Sequence, residues 1–146
     1  MRYLAFHKYM EWFKMYLCEI PLQNSYNSLY LQWYDIVEQL QPNQFDRFLS
    51  EGKKSLVMFY ADWCPFCQKF KPSFESLAKI ANNNISFYAS MINDDDNPLW
   101  DRFSINAVPT LIAFDGNEII SRRDSKMGIG LNKTDIDSIL IEIAGK

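Results

Sequence analysis

The chain has 146 residues, a length that fits one domain of ordinary size with a short extension. Apolar residues make up 48% and charged residues 23%, so a globular core can form without disulfide bonds. The formal net charge of −3 argues against nucleic-acid binding, because nucleic-acid binders normally carry a basic face.

Residues 1–33 are rich in aromatic side chains and form the first predicted unit. Apolar residues recur at steps of three and four over residues 1–20, which predicts an amphipathic helix that ends at Pro21. Charged residues interrupt every apolar stretch before the roughly 20 residues that a membrane span requires, and no uninterrupted signal-peptide core is found. We therefore expect a cytoplasmic protein without a membrane span, in which closely spaced cysteines are catalytic or metal-binding.

This N-terminal extension has two interpretations. Its aromatic stripe favours a helical cap that packs on the rest of the chain. The alternative is a docking surface for a partner protein or for a second copy of the chain. Cys18 lies on the apolar side of the predicted helix, which favours a buried and unreactive thiol.

Strand and helix patterns alternate from residue 34 onward. Tyr34–Leu40 predicts an edge strand, with a continued helix as the alternative, and Pro42-Asn43 opens a short helix. Ser55–Ala61 is a continuous apolar run, typical of a strand that is buried on both faces. Phe66–Ala81 predicts a helix kinked at Pro72. Its inward-facing residues are expected to be Phe70, Phe74, Leu77, Ile80 and Ala81.

The alternation continues in the second half of the chain. Ile85–Ile92 predicts another strand, and Asp96-Asn97-Pro98 has the composition of a helix start. Two further predicted strands, Thr110–Phe114 and Glu118–Arg122, flank a strong hairpin signal at Asp115-Gly116-Asn117.

A last helix follows, with Thr134 as its expected N-cap. Its apolar stripe consists of Ile136, Ile139, Leu140 and Ile143. The complete order is β-α-β-α-β-α-β-β-α. Such alternation predicts an α/β fold with a mixed central sheet flanked by helices.

The chemically informative stretch is Cys64-Pro65-Phe66-Cys67, which lies where the buried strand is followed by a helix. Residues three positions apart on a helix are neighbours, so their sulfurs can bond without large distortion. The unpaired N–H groups and the positive end of the helix dipole favour the thiolate of Cys64. We therefore expect Cys64 to be an exposed nucleophile and Cys67 to be the resolving thiol that breaks a mixed disulfide.

A zinc site is the main alternative for a C-x-x-C pair. It would need a second pair of ligands, and only Cys18 and His7 remain, without the spacing of a zinc knuckle. We therefore expect no metal and no bound cofactor.

Further motifs appear in a fixed order around the cysteine pair. Trp63-Cys64-Pro65-Phe66-Cys67 resembles the W-C-x-x-C of the thioredoxin superfamily, and Pro72 matches the proline that kinks that family's active-site helix. Val108-Pro109-Thr110 resembles the cis-proline loop of the same family. The hairpin at Asp115-Gly116-Asn117 and a glycine near residues 128–130 also fit. Together these motifs are far more specific than the cysteine pair alone.

The resemblance covers roughly residues 34–146 and implies a thioredoxin fold for them, with residues 1–33 as a helical extension. It also implies that Pro109 follows a cis peptide bond beside the sulfurs. There it would hinder metal capture and leave the Val108 backbone free to pair with a substrate strand. The implied docking surface for a partner's disulfide segment consists of Trp63, Pro65, Phe66, Val108 and Pro109.

Two departures from the family pattern concern proton and electron transfer. Thioredoxins usually bury an Asp, often with a Lys, near the resolving cysteine. Here Met58 occupies the place of the Asp, and Ser90 or Met91 that of the Lys. One buried charge without its partner is costly, so the joint loss is physically consistent, and the proton of Cys67 must leave through water or another group. The Pro65-Phe66 pair is similar to more oxidising members, so the direction of electron flow stays open.

These observations predict a thiol–disulfide oxidoreductase of the thioredoxin type. Its Cys64–Cys67 pair would exchange with protein disulfide substrates and be regenerated by a reductase or another electron donor. One alternative is a thioredoxin-fold interaction module that works through residues 1–33. The other is a glutathione-linked enzyme of the glutaredoxin type.

Overall fold

The computed structural model of the protein describes residues 37–81 and 84–145. The chain divides into two units, residues 1–31 and 32–146, and every described element belongs to the second. The helix predicted over residues 1–20, the boundary after residue 33 and the environment of Cys18 lie outside the described residues. They stay predictions.

A five-stranded sheet forms the centre of the described region. In chain order its strands are β1 (Glu38–Gln39), β2 (Lys54–Tyr60), β3 (Ser86–Met91), β4 (Thr110–Asp115) and β5 (Glu118–Asp124). Their spatial order is β1-β3-β2-β4-β5. Strands β1 and β2 run parallel to β3, whereas β4 is antiparallel to β2 and β5. The predicted mixed sheet is therefore confirmed.

The described residues also form four helices. They are α1 (Phe45–Ser50), preceded by a 3-10 turn at Pro42–Gln44, α2 (Pro65–Ile80), α3 (Leu99–Arg102) and α4 (Lys133–Ala144). The observed order of elements is the one that the sequence pattern predicts. None of the described helices is both long and apolar enough to cross a membrane.

The structure corrects details at the ends of two elements and bears on a third. Of the predicted edge strand Tyr34–Leu40, Glu38–Gln39 pairs with β3, the N–H of Leu40 donates to the carbonyl of Ala89 at 2.8 Å, and residues 34–36 lie outside the described residues. Ile80 is 77% exposed instead of buried, because it is the last residue of α2 and projects beyond the helix–sheet contact. Asn132, and not Thr134, caps α4. Its side chain accepts hydrogen bonds from the N–H groups of Thr134 and Asp135, at 2.8 and 3.3 Å.

The two faces of the sheet carry different side chains, because successive residues of a strand point to opposite sides. The ring of Phe59 lies 5.8 Å from that of Phe45 in α1 and 5.3 Å from that of Phe103 after α3. The next residue, Tyr60, faces α2, where the ammonium of Lys71 lies 4.1 Å from its ring centroid.

We name these two sides by their contents. The aromatic face is the cluster Phe45, Phe48, Phe59, Phe103 and Phe114, whose contacting ring centroids lie 5.2 to 6.1 Å apart. The thiol face is the side of β2 covered by α2 and carries Met58, Tyr60, Cys67 and Lys71. The aromatic face is a packed hydrophobic core of the kind that stabilises a domain.

Candidate active site

The cysteine pair lies at the junction of β2 and α2. The chain leaves the buried strand at Ala61, and Cys64 is the N-cap residue of α2 with an extended backbone (φ −89°, ψ 116°). Pro65 takes the first helical position, where a backbone N–H would lack a helical partner. Cys67 follows one turn into the helix. The predicted placement of the pair at a helix N-terminus is therefore confirmed.

Both thiols are free and buried, which differs from the expectation of an exposed nucleophile. Cys64 is only 4% exposed, and Cys67 is fully buried. The thiol of Cys64 donates a hydrogen bond to the backbone carbonyl of Val108 at 3.4 Å. The loop before β4 thus lies against the sulfur and covers it, although the two residues are 44 positions apart in the chain.

The covering loop contains the cis peptide bond expected from the resemblance, between Val108 and Pro109. Both side chains are buried, Val108 with 8% exposure. They therefore add little accessible area to the implied docking surface. What this loop presents to the thiol of Cys64 is the backbone carbonyl of Val108.

The exposed part of the implied docking surface consists of Trp63, Pro65 and a portion of Phe66. Trp63 is 62% exposed, and its indole N–H donates to the backbone carbonyl of Asn93 at 3.1 Å. Phe66 is only half-buried, because its ring lies on Gly130. A Cβ at that glycine would be 2.9 Å from Cδ1 of Phe66. Because Gly130 has no side chain, it leaves room for the ring of Phe66.

The loop before α4 extends this apolar surface beyond the residues that the sequence pointed to. Met127 is 99% exposed and Ile129 68% exposed, next to the glycine that supports Phe66. Gly128 and Gly130 both have a positive φ of 75°, a conformation that favours glycine. The only sequence signal for this loop was the pair of glycines.

Asn93 braces the residues before Cys64 and was missed by sequence reasoning. Its Oδ1 accepts a hydrogen bond from the backbone N–H of Asp62 at 2.9 Å, in addition to the bond from Trp63 to its carbonyl. Gln68 of α2 donates through Nε2 to the carbonyl of Asp62 at 2.9 Å. Because β2 and β3 are parallel, their carboxyl ends meet at one edge, and a polar residue just after β3 was the available signal.

Lys71 is the second residue that sequence reasoning missed. Its side chain is only 14% exposed, and its Nζ lies 3.8 Å from Oδ1 of Asp62 as well as over the ring of Tyr60. Burial lowers the pKa of Lys71, while the charges of Asp62 and Cys67 act in the opposite direction. Its position four residues after Cys67, on the same side of a helix, was the available signal.

Cys67 lies in a strongly desolvating environment. Burial raises the pKa of its thiol well above the usual value, and a hydrogen bond with the backbone of Ala61 and, to a smaller extent, the charge of Lys71 oppose that rise. Met58, at the position where the resemblance would place an acid, is fully buried and apolar. Ser90 donates a hydrogen bond to the carbonyl of Leu40 at 2.8 Å, and Met91 is 39% exposed. Neither of these two therefore brings a charge to the thiol.

Within the described ranges, no three His, Cys, Asp or Glu side chains are grouped so that they could hold a metal ion. The three adjacent aspartates Asp94, Asp95 and Asp96 belong to the loop between β3 and α3.

Comparison with known proteins adds to this geometry. The family model named Thioredoxin matches residues 36–140. Protein disulfide-isomerase A5 of Mus musculus is 38% identical over 85 residues, which are 56% of this chain and 16% of the isomerase. The chain thus spans only a small part of the length of this curated relative.

Two solved structures share the architecture. Thioredoxin f2 of Chlamydomonas reinhardtii matches with a TM-score of 0.62 at 19% identity, over 71% of this chain and 93% of that chain. Mitochondrial thioredoxin 3 of Saccharomyces cerevisiae, in its oxidized form, matches with a TM-score of 0.61 at 21% identity, over 76% and 98%. At such identities the likeness concerns the fold, and the predicted fold class is confirmed.

Proposed function

Because the chain belongs to the thioredoxin family and has the thioredoxin fold, we propose that it is a thiol–disulfide oxidoreductase acting on protein disulfides. One observation carries the proposal. Cys64 caps the N-terminus of α2, with a second thiol buried one turn later and the Val108 carbonyl against the first. The pair needs no bound cofactor, since a reductase or another electron donor regenerates it.

The reaction proceeds in two exchange steps when the protein acts as a reductant. The thiolate of Cys64 attacks one sulfur of the partner's disulfide, that S–S bond breaks, and the other partner sulfur leaves with the electron pair and takes up a proton. Cys67 then loses its proton and attacks the sulfur of Cys64, which releases the partner's second thiol. The partner gains two electrons, and the Cys64–Cys67 disulfide remains.

Access to Cys64 requires a partner segment that fits closely, because only 4% of the residue is exposed. The side chains of Trp63 and Pro65, which flank Cys64 in the chain, are exposed, and with the exposed Ile129 they suit an extended, uncharged stretch beside the partner's disulfide. The Val108 carbonyl would exchange its bond with the Cys64 thiol for one with the backbone of that stretch.

Replacing the two cysteines one at a time tests the proposal. Cys64→Ser should abolish the reduction of insulin disulfides, whereas Cys67→Ser should accumulate a covalent mixed disulfide through Cys64. Cys18→Ser serves as the matched control and should keep full activity. Retained activity in Cys64→Ser would exclude the proposal.

The direction of electron flow is a separate question with its own measurement. The reduction potential can be read from Trp63 fluorescence in a series of glutathione buffers, since this indole is adjacent to the pair. A value of about −270 mV indicates a reductase, and a value of about −180 mV indicates an oxidant or isomerase. The cytoplasmic location, the role of residues 1–33 and the glutathione-linked alternative stay predictions.

A further inference from the structure

The charge of Lys71 lies on the thiol face, where only 14% of its side chain is exposed. Its Nζ lies 4.1 Å from the ring centroid of Tyr60 and 3.8 Å from Oδ1 of Asp62, and Cys67 precedes it by four residues on α2. A lysine that only stabilises the surface would extend into water, since burying an ammonium costs free energy. The position of Lys71 therefore suggests a role beyond the stability of the surface.

The proposed exchange reaction makes a demand that this position meets. Cys67 must become a thiolate before it can attack the mixed disulfide, yet burial favours its neutral form. Met58, the fully buried residue at the middle of the thiol face, is apolar and supplies no charge. Lys71 follows Cys67 by four residues on α2, a spacing that places the two Cβ atoms about 5–6 Å apart, and its charge acts to lower the pKa of Cys67.

The other charged and titratable groups around Lys71 come from three elements. Asp62 belongs to the loop between β2 and α2, Tyr60 to β2, and Glu75 to the next turn of α2. Asp62 and Glu75 both stabilise the ammonium form of Lys71. Cys64 has the opposite influence to Lys71 on Cys67, because both its side-chain hydrogen bond and its charge raise the pKa of Cys67. Lys71 is thus the cation that faces Cys67 within the described residues.

We propose that Lys71 promotes the resolving step by stabilising the thiolate of Cys67 with its ammonium charge, while Asp62 and Tyr60 hold that charge in place. This inference rests on the exchange function proposed above. In the step itself the S–H bond of Cys67 breaks and its proton passes to water. The sulfur then attacks Sγ of Cys64, the bond between Cys64 and the partner breaks, and the partner sulfur leaves with the electron pair and is protonated in solution.

Ellman's reagent separates the two sulfurs in one experiment. With equimolar reagent, attack by Cys64 releases a first equivalent of thionitrobenzoate, and attack by Cys67 on the resulting mixed disulfide releases a second. The full chain is used with Cys18→Ala throughout, so that only the pair reports. The variants are Lys71→Met, which keeps the apolar stem, Lys71→Arg, which keeps the charge, and Lys69→Met, an exposed lysine on the same helix, as the matched control.

We expect Lys71→Met to slow the second phase about tenfold at pH 7 and to move its pH midpoint up by about one unit. The first phase should keep its rate, Lys71→Arg should restore most of the second, and Lys69→Met should change neither. If the second phase of Lys71→Met has the same pH midpoint as that of the protein with Lys71 intact, the proposed role of Lys71 is overturned. This holds even where thermal unfolding shows that the variant is less stable. Failure of the reference protein to release the second equivalent would instead overturn the exchange function itself.

Discussion

The aromatic face and the thiol face lie on opposite sides of the same strand, yet their side chains differ in kind. Phe59 points into a cluster of phenylalanine rings, with the ring centroids of Phe45 and Phe103 at 5.8 and 5.3 Å. One residue later, the ring of Tyr60 meets the ammonium of Lys71 at 4.1 Å. The two faces have different roles, because ring packing stabilises the fold, whereas a charge near a desolvated sulfur changes the reactivity of that sulfur.

This contrast has a physical lesson. A hydrophobic cluster gains stability from contact area and shape, so its substitutions are felt through the free energy of unfolding. A desolvated thiol and its neighbouring cation act on each other through a low dielectric, so substitutions there are felt through protonation. The two faces can therefore be changed almost independently, and the following predictions test how far that independence holds.

Phe59→Ala should have the largest effect on stability. The substitution removes a fully buried ring that contacts Phe45 and Phe103, and it should lower the free energy of unfolding by about 3–5 kcal/mol. Urea unfolding measures the loss. Thiol exchange by the remaining folded protein should proceed at the reference rate, and a parallel fall in that rate would show that the faces are coupled.

Cys67 should make the stability of the reduced protein depend on pH. Burial raises the pKa of its thiol, so the folded state keeps a proton that the unfolded chain loses above about pH 8.5. The contribution is complete below that pH and falls by about 1.4 kcal/mol per pH unit above it. The contribution of Cys67 is the difference between the free energies of urea unfolding of the reduced protein and of Cys67→Ala, measured at each pH. Phe59→Ala should leave this pH dependence unchanged, and identical profiles for the reduced protein and Cys67→Ala would contradict the prediction.

Gly130→Ala should perturb the rim of the thiol face. The new Cβ would meet Phe66 at 2.9 Å and would also sit at a positive φ, so we expect a loss of about 1–2 kcal/mol and an altered rate of exchange with protein disulfides. Gly128→Ala is the matched control, since it has the same φ of 75° but open space around it. Equal effects of the two on exchange would mean that the Phe66 contact is irrelevant to docking.

Ile80→Ser should have the smallest effect, below about 0.5 kcal/mol, because the side chain is 77% exposed at the end of α2. Phe74→Ala on the same helix removes a fully buried ring and should cost about 3 kcal/mol or more. Thermal unfolding of the two variants compares them directly. A large loss of stability in Ile80→Ser would show that the side chain points inward, as the helical pattern suggested.

Elements within the second unit could be predicted well because their signals are local. Ser55–Ala61 is an uninterrupted apolar run, and the turn at Asp115-Gly116-Asn117 has the residues that a tight hairpin needs, with Gly116 at a φ of 57°. The inward orientation of Ile80 was mispredicted because periodicity continues to the last turn of a helix, whereas the sheet beneath it does not. Asn132 was overlooked as a cap because Thr134, two positions later, is also a residue type that caps helices, although Asn is the stronger one.

The cysteine pair and the cis bond at Pro109 were visible in the sequence, but their surroundings were not. The burial of Cys64 depends on Val108, which is distant in the chain, and no pattern within one element reveals that approach. The same holds for Lys71, whose meaning depends on Tyr60 and Asp62 from the preceding strand and loop. Contacts of this kind arise only when elements pack, so they lie beyond propensity and periodicity.

The antiparallel pairing of β4 with β2 separates the reactive end of the sheet from its hairpin. Thr110 pairs with Phe59 beside the thiols, whereas Asp115 pairs with Lys54 at the other end. The six residues of β4 place the turn at Gly116 about 20 Å from the end that carries the thiols. A tether attached at this turn would fix the protein to an electrode or a bead with its sulfurs directed into the bulk solution. The fold thus offers a ready anchoring point for recording electron transfer from an oriented, immobilised layer.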